Sequence, residues 1–144
     1  MIKKILVAVD GSEPSKNALN QALEHSVKWN AELIIISVIP PISSIVYMGQ
    51  HEYIVQYKEA AIESQNKVLN EARTEIQKQH PDIKFETRLE EGRPSDIIVD
   101  TSREEDVDLI VMGSRGLGGI TGWVLGSTSR HVVESCTKPI LIVK

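Results

Sequence analysis

Five short apolar runs alternate along this chain with segments of helical periodicity. The runs cover residues 5–9, 33–39, about 83–89, 107–112 and 140–143. Four of them are almost continuously apolar, which is typical of strands that helices cover on both faces. The run at 83–89 alternates apolar with charged residues, and this pattern predicts an edge strand with one face in water.

The segments between these runs predict four helices. Ser12 is placed to cap the first, which tolerates Pro14 in its first turn. The others are predicted over about 52–79, 95–104 and 127–135. Strands that alternate with helices indicate βαβ units with right-handed crossovers. The predicted fold class is therefore α/β, doubly wound, with a five-stranded parallel sheet.

Composition limits the possible classes of protein. The 144 residues, 41% of them apolar, predict one domain over residues 1–144. A net charge of −4 without a basic stripe argues against a binder of nucleic acid or anionic membranes. No apolar run approaches the roughly 18 residues of a membrane span, and the first residues lack a signal-peptide pattern. The single cysteine, Cys136, fits a reducing compartment, so the expected location is cytoplasmic.

Residues 113–129 contain six of the nine glycines and follow the fourth apolar run. These glycines are Gly113, Gly116, Gly118, Gly119, Gly122 and Gly126. A strand, a glycine-rich loop and a helix start form an arrangement that binds phosphate. Glycine allows close approach of the backbone to a ligand, and the helix N-terminus offers N–H groups and a positive dipole end.

Two familiar phosphate motifs are excluded. The P-loop motif needs a lysine, and no lysine lies between Lys84 and Lys138. The G-x-G-x-x-G fingerprint fails because Thr121 occupies its third glycine position after Gly116 and Gly118. That fingerprint also belongs after the first strand, whereas this loop follows the fourth. A P-loop NTPase and a Rossmann dehydrogenase are therefore not expected.

The spacing G-2x-G-9x-G-[ST], formed by Gly113, Gly116, Gly126 and Ser127, resembles the nucleotide-binding signature of the universal stress protein family, in its ATP-binding subgroup. The resemblance covers the whole chain, including residues 4–12, 92–94, 108–114 and 138–143. It implies the strand order 3-2-1-4-5. Strands 1 and 4 are then neighbours followed by helices on opposite faces, and a ligand crevice is expected at such a switch point.

The resemblance also implies the roles of individual residues. The phosphates are expected at Gly113, Gly116, Gly126, Ser127 and Thr128, the adenosine at Asp10, and the adenine near Ala8, Val9, Val38 and Met112. Other interpretations of these residues remain: a glycine-rich turn that only caps a helix, a carboxylate that only stabilises a helix start, and ordinary core residues. Arg115 and Arg130 are the nearest cations, and each either pairs with phosphate or is simply exposed; of the two, Arg115 is the one expected at the nucleotide.

The pattern favours binding over catalysis. His25, His51 and His80 share no metal-ligand spacing, so any Mg²⁺ is expected on the nucleotide phosphates and not on protein side chains. His131 is interpreted as a surface or packing residue, and Cys136 as a structural thiol. Phosphoryl transfer needs placed cations and an oriented nucleophile, for which no residue set is recognisable.

The leading hypothesis is a cytosolic stress-response protein that binds ATP or a related adenine nucleotide and acts as a signalling or regulatory homodimer. The dimer is expected through the last strand, from Pro139 to Lys144, since the family commonly pairs this strand and a bare apolar edge is a liability. One alternative is a slow ATPase or nucleotide hydrolase. Another is a dimeric interaction module with incidental nucleotide binding. The 40–49 connection is either a lid or a loop packed on its own sheet.

Overall fold

The computed structural model describes residues 1–41, 51–116 and 125–144, in which five strands alternate with four helices. In chain order the elements are β1 (Lys4–Ala8), α1 (Glu13–Trp29), β2 (Glu32–Ile39), α2 (His51–Gln79), β3 (Phe85–Glu91), α3 (Pro94–Glu104), β4 (Leu109–Gly113), α4 (Ser127–Ser135) and β5 (Ile140–Val143). The predicted α/β class is confirmed. The predicted loop at 40–49 lies almost wholly outside the described residues, as do Gly118, Gly119 and Gly122.

The strands form one parallel sheet in the order β3-β2-β1-β4-β5. This order confirms both the expected topology and the prediction that the third strand lies at an edge. β1 occupies the centre between β2 and β4, and its residues Ile5, Leu6 and Val7 are fully buried. A strand buried on both faces must be apolar throughout, which explains the unbroken run in the sequence.

Helices cover both faces of the sheet, two on each. Alternate side chains of a strand point to opposite faces, so Ile5 and Val7 pack with α1 and α2, whereas Leu6 packs with α3 and α4. The helix that follows β1 therefore crosses one face and the helix that follows β4 crosses the other. The chain diverges at the carboxyl ends of these two neighbouring strands and leaves a crevice there.

Local signals fixed the start of α1. Ser12 is its N-cap, and the Ser12 Oγ accepts a hydrogen bond from the Ser15 N–H at 3.3 Å, as predicted. The helix ends at Asn30, whose φ of 52° is left-handed. No helix in the described part of the chain is long and apolar enough to cross a membrane.

β4 begins at Leu109, two residues later than the predicted 107, because the Asp108 side chain makes a long-range contact with the start of β1. Its Oδ2 accepts hydrogen bonds from the N–H groups of Lys3 at 2.8 Å and Lys4 at 3.0 Å. The contact ties the start of β1 to the start of β4. These N–H donors, Lys3 first, hold the pKa of Asp108 below its ordinary value.

Lys4 also takes part in a set of ion pairs. Glu105 accepts from Arg88 at 2.6 Å and from Lys4 at 3.3 Å. The Arg88 guanidinium, followed by Lys4, lowers the pKa of the Glu105 carboxyl. Arg88 also pairs with Glu86 at 2.9 Å, and its own pKa is raised by hydrogen bonds to Glu86 and Glu105. These side chains connect β1, β3 and the end of α3.

We predict that Asp108→Asn lowers the free energy of unfolding by about 1 kcal/mol at pH 7, because a charged acceptor is replaced by a neutral one. The folded-state pKa of Asp108 is depressed, so its stabilisation is present above the unfolded pKa of about 3.9 and is lost as pH falls through the folded pKa. The difference between variant and parent therefore shrinks below about pH 4. Urea unfolding across this pH range measures it. Asp82→Asn, at an exposed turn, is the matched control, and an equal effect there would contradict the assignment.

Candidate functional site

A pocket of about 390 Å³ opens in the crevice at the carboxyl ends of β1 and β4. All eleven residues predicted for the site line it, although they come from four separate parts of the sequence. They are Ala8, Val9, Asp10, Val38, Met112, Gly113, Arg115, Gly116, Gly126, Ser127 and Thr128. The volume lies within the usual range for small-molecule sites. The fold therefore brings the predicted residues around one cavity of suitable size.

Seven further residues line the pocket and were not predicted: Ser15, Ile36, Pro40, Gln65, Pro94, Ile98 and Ser129. Pro40 and Pro94 follow the second and third strands, so the rule that ligands bind at the carboxyl ends of strands was a usable signal for both. Ser129 lies in the first turn of α4. Gln65 had no signal, because it stands in the middle of a 29-residue helix.

Asp10 lies two residues beyond β1 and is held from several directions. Its N–H donates to the Ser15 Oγ at 3.2 Å, and its carbonyl accepts from the Gln65 Nε2 at 3.4 Å. Its Oδ1 accepts from the Ser12 N–H at 2.9 Å and from the Ser12 Oγ at 2.5 Å. Asp10 thus stabilises the start of α1 and also lines the pocket, so the two interpretations of this carboxylate are compatible.

Two of the signature glycines are closely approached by other groups, Gly113 by backbone and Gly116 by a side-chain oxygen. A Cβ on Gly116 would lie 2.8 Å from the Asp10 Oδ2. A Cβ on Gly113 would lie 2.9 Å from the backbone carbon of Pro14, where the end of β4 meets the first turn of α1. These glycines allow the loop and the carboxylate to converge, a structural requirement that exists before any ligand is considered.

One carbonyl joins the two ends of the glycine-rich loop. The Ser114 C=O accepts from the Gly126 N–H at 2.7 Å and from the buried Ser129 Oγ at 2.9 Å. The Ser114 N–H donates to the Val143 carbonyl at 2.7 Å, which ties the loop to β5. The start of α4 is thereby fixed opposite the end of β4.

The first turn of α4 presents main-chain N–H groups to the pocket. Gly126 is its N-cap, and within the described chain no side chain makes the capping hydrogen bond. Ser127 is exposed and Thr128 is half-buried, and both line the pocket. Uncapped N–H groups, two hydroxyls and the positive end of the helix dipole favour an anion.

The two candidate cations differ in position. Arg115 is half-buried and lines the pocket, whereas Arg130 is exposed and is not among the lining residues. The Nε2 of His131 lies 3.6 Å from the Asp96 Oδ1 and links α4 to α3. Cys136 is half-buried, with its Sγ 3.7 Å from the Ser102 Oγ. Across residues 1–41, 51–116 and 125–144, no three His, Cys, Asp or Glu residues are grouped to hold a metal ion.

A larger groove of about 1050 Å³ follows the outer face of α2, but all its lining residues belong to that one helix. A single helix cannot enclose a small molecule. A third depression of about 360 Å³ lies between α1 and α2 and shares Val9, Asp10 and Ser15 with the crevice pocket. The crevice pocket is the one in which the ends of strands and the starts of helices converge.

Comparison with solved structures supports the fold. The universal stress protein UspA from Lactobacillus plantarum superimposes with a TM-score of 0.83 over 99% of this chain and 98% of that chain, at 21% identity. A universal stress protein solved in complex with cAMP superimposes with a TM-score of 0.62 at 26% identity, over 99% of this chain and 96% of the other.

Comparison of sequences supports the family. The universal stress protein YxiE of Bacillus subtilis is 33% identical, and the alignment covers 100% of both chains. The model of the universal stress protein family matches residues 1–144. The chain therefore belongs to the universal stress protein family.

Proposed function

We propose that this chain is a cytoplasmic stress-response protein that binds ATP or a related adenine nucleotide in the crevice between β1 and β4. The observation that carries the proposal is the convergence of all eleven predicted residues on one pocket of about 390 Å³. A universal stress protein of the same fold, 26% identical, was solved in complex with cAMP, which supports an adenine nucleotide as the ligand.

The phosphates bind at the start of α4. Gly126 brings main-chain N–H groups forward without a side-chain cap among the described residues, and Ser127 and Thr128 add hydroxyl donors. Arg115 supplies positive charge on the same wall. Any Mg²⁺ is carried by the phosphate oxygens, since oxygen ligands are those it prefers.

The adenosine occupies the apolar part of the pocket. Ala8, Val9, Val38 and Met112 line it, and they belong to β1, β2 and β4 or lie directly beyond them. Contact with these side chains removes apolar base surface from water. Asp10 is pre-positioned by its contacts with α1 and α2, so binding does not have to order it.

We predict that Ser127→Asp weakens ATP binding by about tenfold or more, because a carboxylate at the start of α4 repels the phosphates. The protein itself is not destabilised, because a negative charge in the first turn interacts favourably with the helix dipole, by about 0.3–1 kcal/mol. Isothermal titration measures the affinity, and urea unfolding measures the stability.

Ser127→Asn is the matched control, since it has nearly the same size and no charge. Parent and Ser127→Asn are expected to bind ATP within a few-fold of each other. Equal affinity of the aspartate and asparagine variants would contradict phosphate binding at α4. A parent protein that gives no heat with ATP, ADP, AMP or cAMP at millimolar concentration would contradict the function itself.

We also propose that two copies of the chain associate through β5. The opposite edge strand, β3, carries the charged residues Glu86, Arg88 and Glu90, which discourage edge pairing. β5 is apolar at all four positions, each half-buried. The carbonyls of Pro139 and Val143 accept hydrogen bonds from the side of β4. By alternation, Ile142 therefore directs its N–H and C=O groups to the open edge.

We predict that Ile142→Pro converts a dimer into a monomer, because it removes an outward N–H and leaves the hydrogen bonds between β4 and β5 in place. Light scattering at micromolar concentration measures the mass. Ile142→Ala removes most of the side chain but keeps the N–H, and it is expected to remain dimeric. A monomeric parent would overturn the dimer, and a dimeric Ile142→Pro would overturn this edge as its interface.

A further inference from the structure

Gln65 is the pocket residue that α2 contributes, and it connects three parts of the fold. Its Oε1 accepts a hydrogen bond from the Ser37 Oγ of β2 at 2.5 Å, and its Nε2 donates to the Asp10 carbonyl at 3.4 Å. Ser37 is buried, with 1% of its surface exposed. The Gln65 side chain, in the middle of α2, is thus held against Asp10, two residues beyond the end of β1.

The chemistry of these partners fixes the orientation of the amide. The Asp10 carbonyl can only accept, so it must face the Gln65 nitrogen and not the oxygen. The Gln65 oxygen then faces the Ser37 hydroxyl, which donates to it. Exchanging the two ends of the amide would place two acceptors against each other at Asp10. Gln65 therefore lines the pocket with its amide nitrogen beside Asp10 and its amide oxygen beside Ser37.

We propose that Gln65 is a specificity-determining residue that, together with Asp10, recognises the vicinal hydroxyls of a ribose. The inference rests on the proposed nucleotide-binding function. The amide nitrogen carries two hydrogens, one of which is directed to the Asp10 carbonyl. The second N–H and the Asp10 carboxylate belong to neighbouring side chains that line the same pocket.

A donor beside an acceptor complements a vicinal diol. Each hydroxyl can donate once and can also accept, so one hydroxyl donates to the carboxylate while its neighbour accepts from the amide. A sugar that lacks one hydroxyl forms one hydrogen bond fewer with this pair, and the lost bond lowers its affinity. The pair therefore selects ribonucleotides over deoxyribonucleotides.

The test compares affinities for AMP, 2′-deoxy-AMP and 3′-deoxy-AMP by isothermal titration. The parent is expected to bind AMP about tenfold more tightly than the weaker of the two deoxy analogues. Gln65→Glu, of the same size, replaces the donating amide with an acceptor, and the ratio of affinities is expected to fall to about twofold or less. Gln77→Glu makes the same change at an exposed position of the same helix and is expected to keep the parent ratio.

Ser37→Ala provides a second variant in case Gln65→Glu does not fold. It keeps Gln65 but removes the hydroxyl that orients the amide, so an intermediate ratio is expected. A parent ratio near one, or a ratio that neither variant changes, would overturn the inference and leave nucleotide binding intact. A parent that binds no AMP would overturn this inference alone, whereas a parent that binds none of ATP, ADP, AMP and cAMP would overturn the proposed function and this inference with it.

Discussion

The parallel pairing of β1 with β4 is the constraint on which the candidate site depends. These two strands are neighbours in space, yet the helices that follow them cross opposite faces of the sheet. Because the described chain leaves the two strand ends toward opposite faces, a crevice opens there. The residues that end each strand face this crevice whatever their chemistry. The path of the chain thus creates the cavity, and Asp10 and the described ends of the glycine-rich loop determine the chemistry of its walls.

Close contacts hold the cavity in shape. The Asp10 main chain is bound by α1 through Ser15 and by α2 through Gln65, and its carboxylate is bound by Ser12. Gly116 leaves room for that carboxylate, so the loop and Asp10 depend on each other sterically. The main-chain N–H groups at the start of α4 are held in place by the helix, and no side chain among the described residues caps them. Fixed groups of this kind favour binding, and their placement costs no further ordering when a ligand arrives.

Much of the fold could be predicted because local patterns and packing agree. The buried runs of β1, β2 and β4, the Ser12 cap and the bounds of α4 at 127–135 followed from periodicity and capping rules. The start of β4 was predicted too early because Asp108 belongs to a long-range contact with Lys3 and Lys4 that no local pattern reveals. The predicted site residues came from the resemblance to the universal stress protein family, in part through a glycine motif at known spacing. Gln65 was missed because only the packing of α2 against β2 and against the residues that follow β1 brings it to the pocket.

The sequence by itself determined the α/β class, the helix starts and the glycine pattern between β4 and α4, because each depends on spacing within a few residues. Only the tertiary structure decided which groups meet. It placed Gln65 between Ser37 and Asp10, although 55 residues separate Gln65 from Asp10 along the chain. It also brought the Gly126 N–H to the Ser114 carbonyl and left room at Gly116 for the Asp10 carboxylate. Such contacts depend on how helices cross the sheet, and that geometry is set by the whole core.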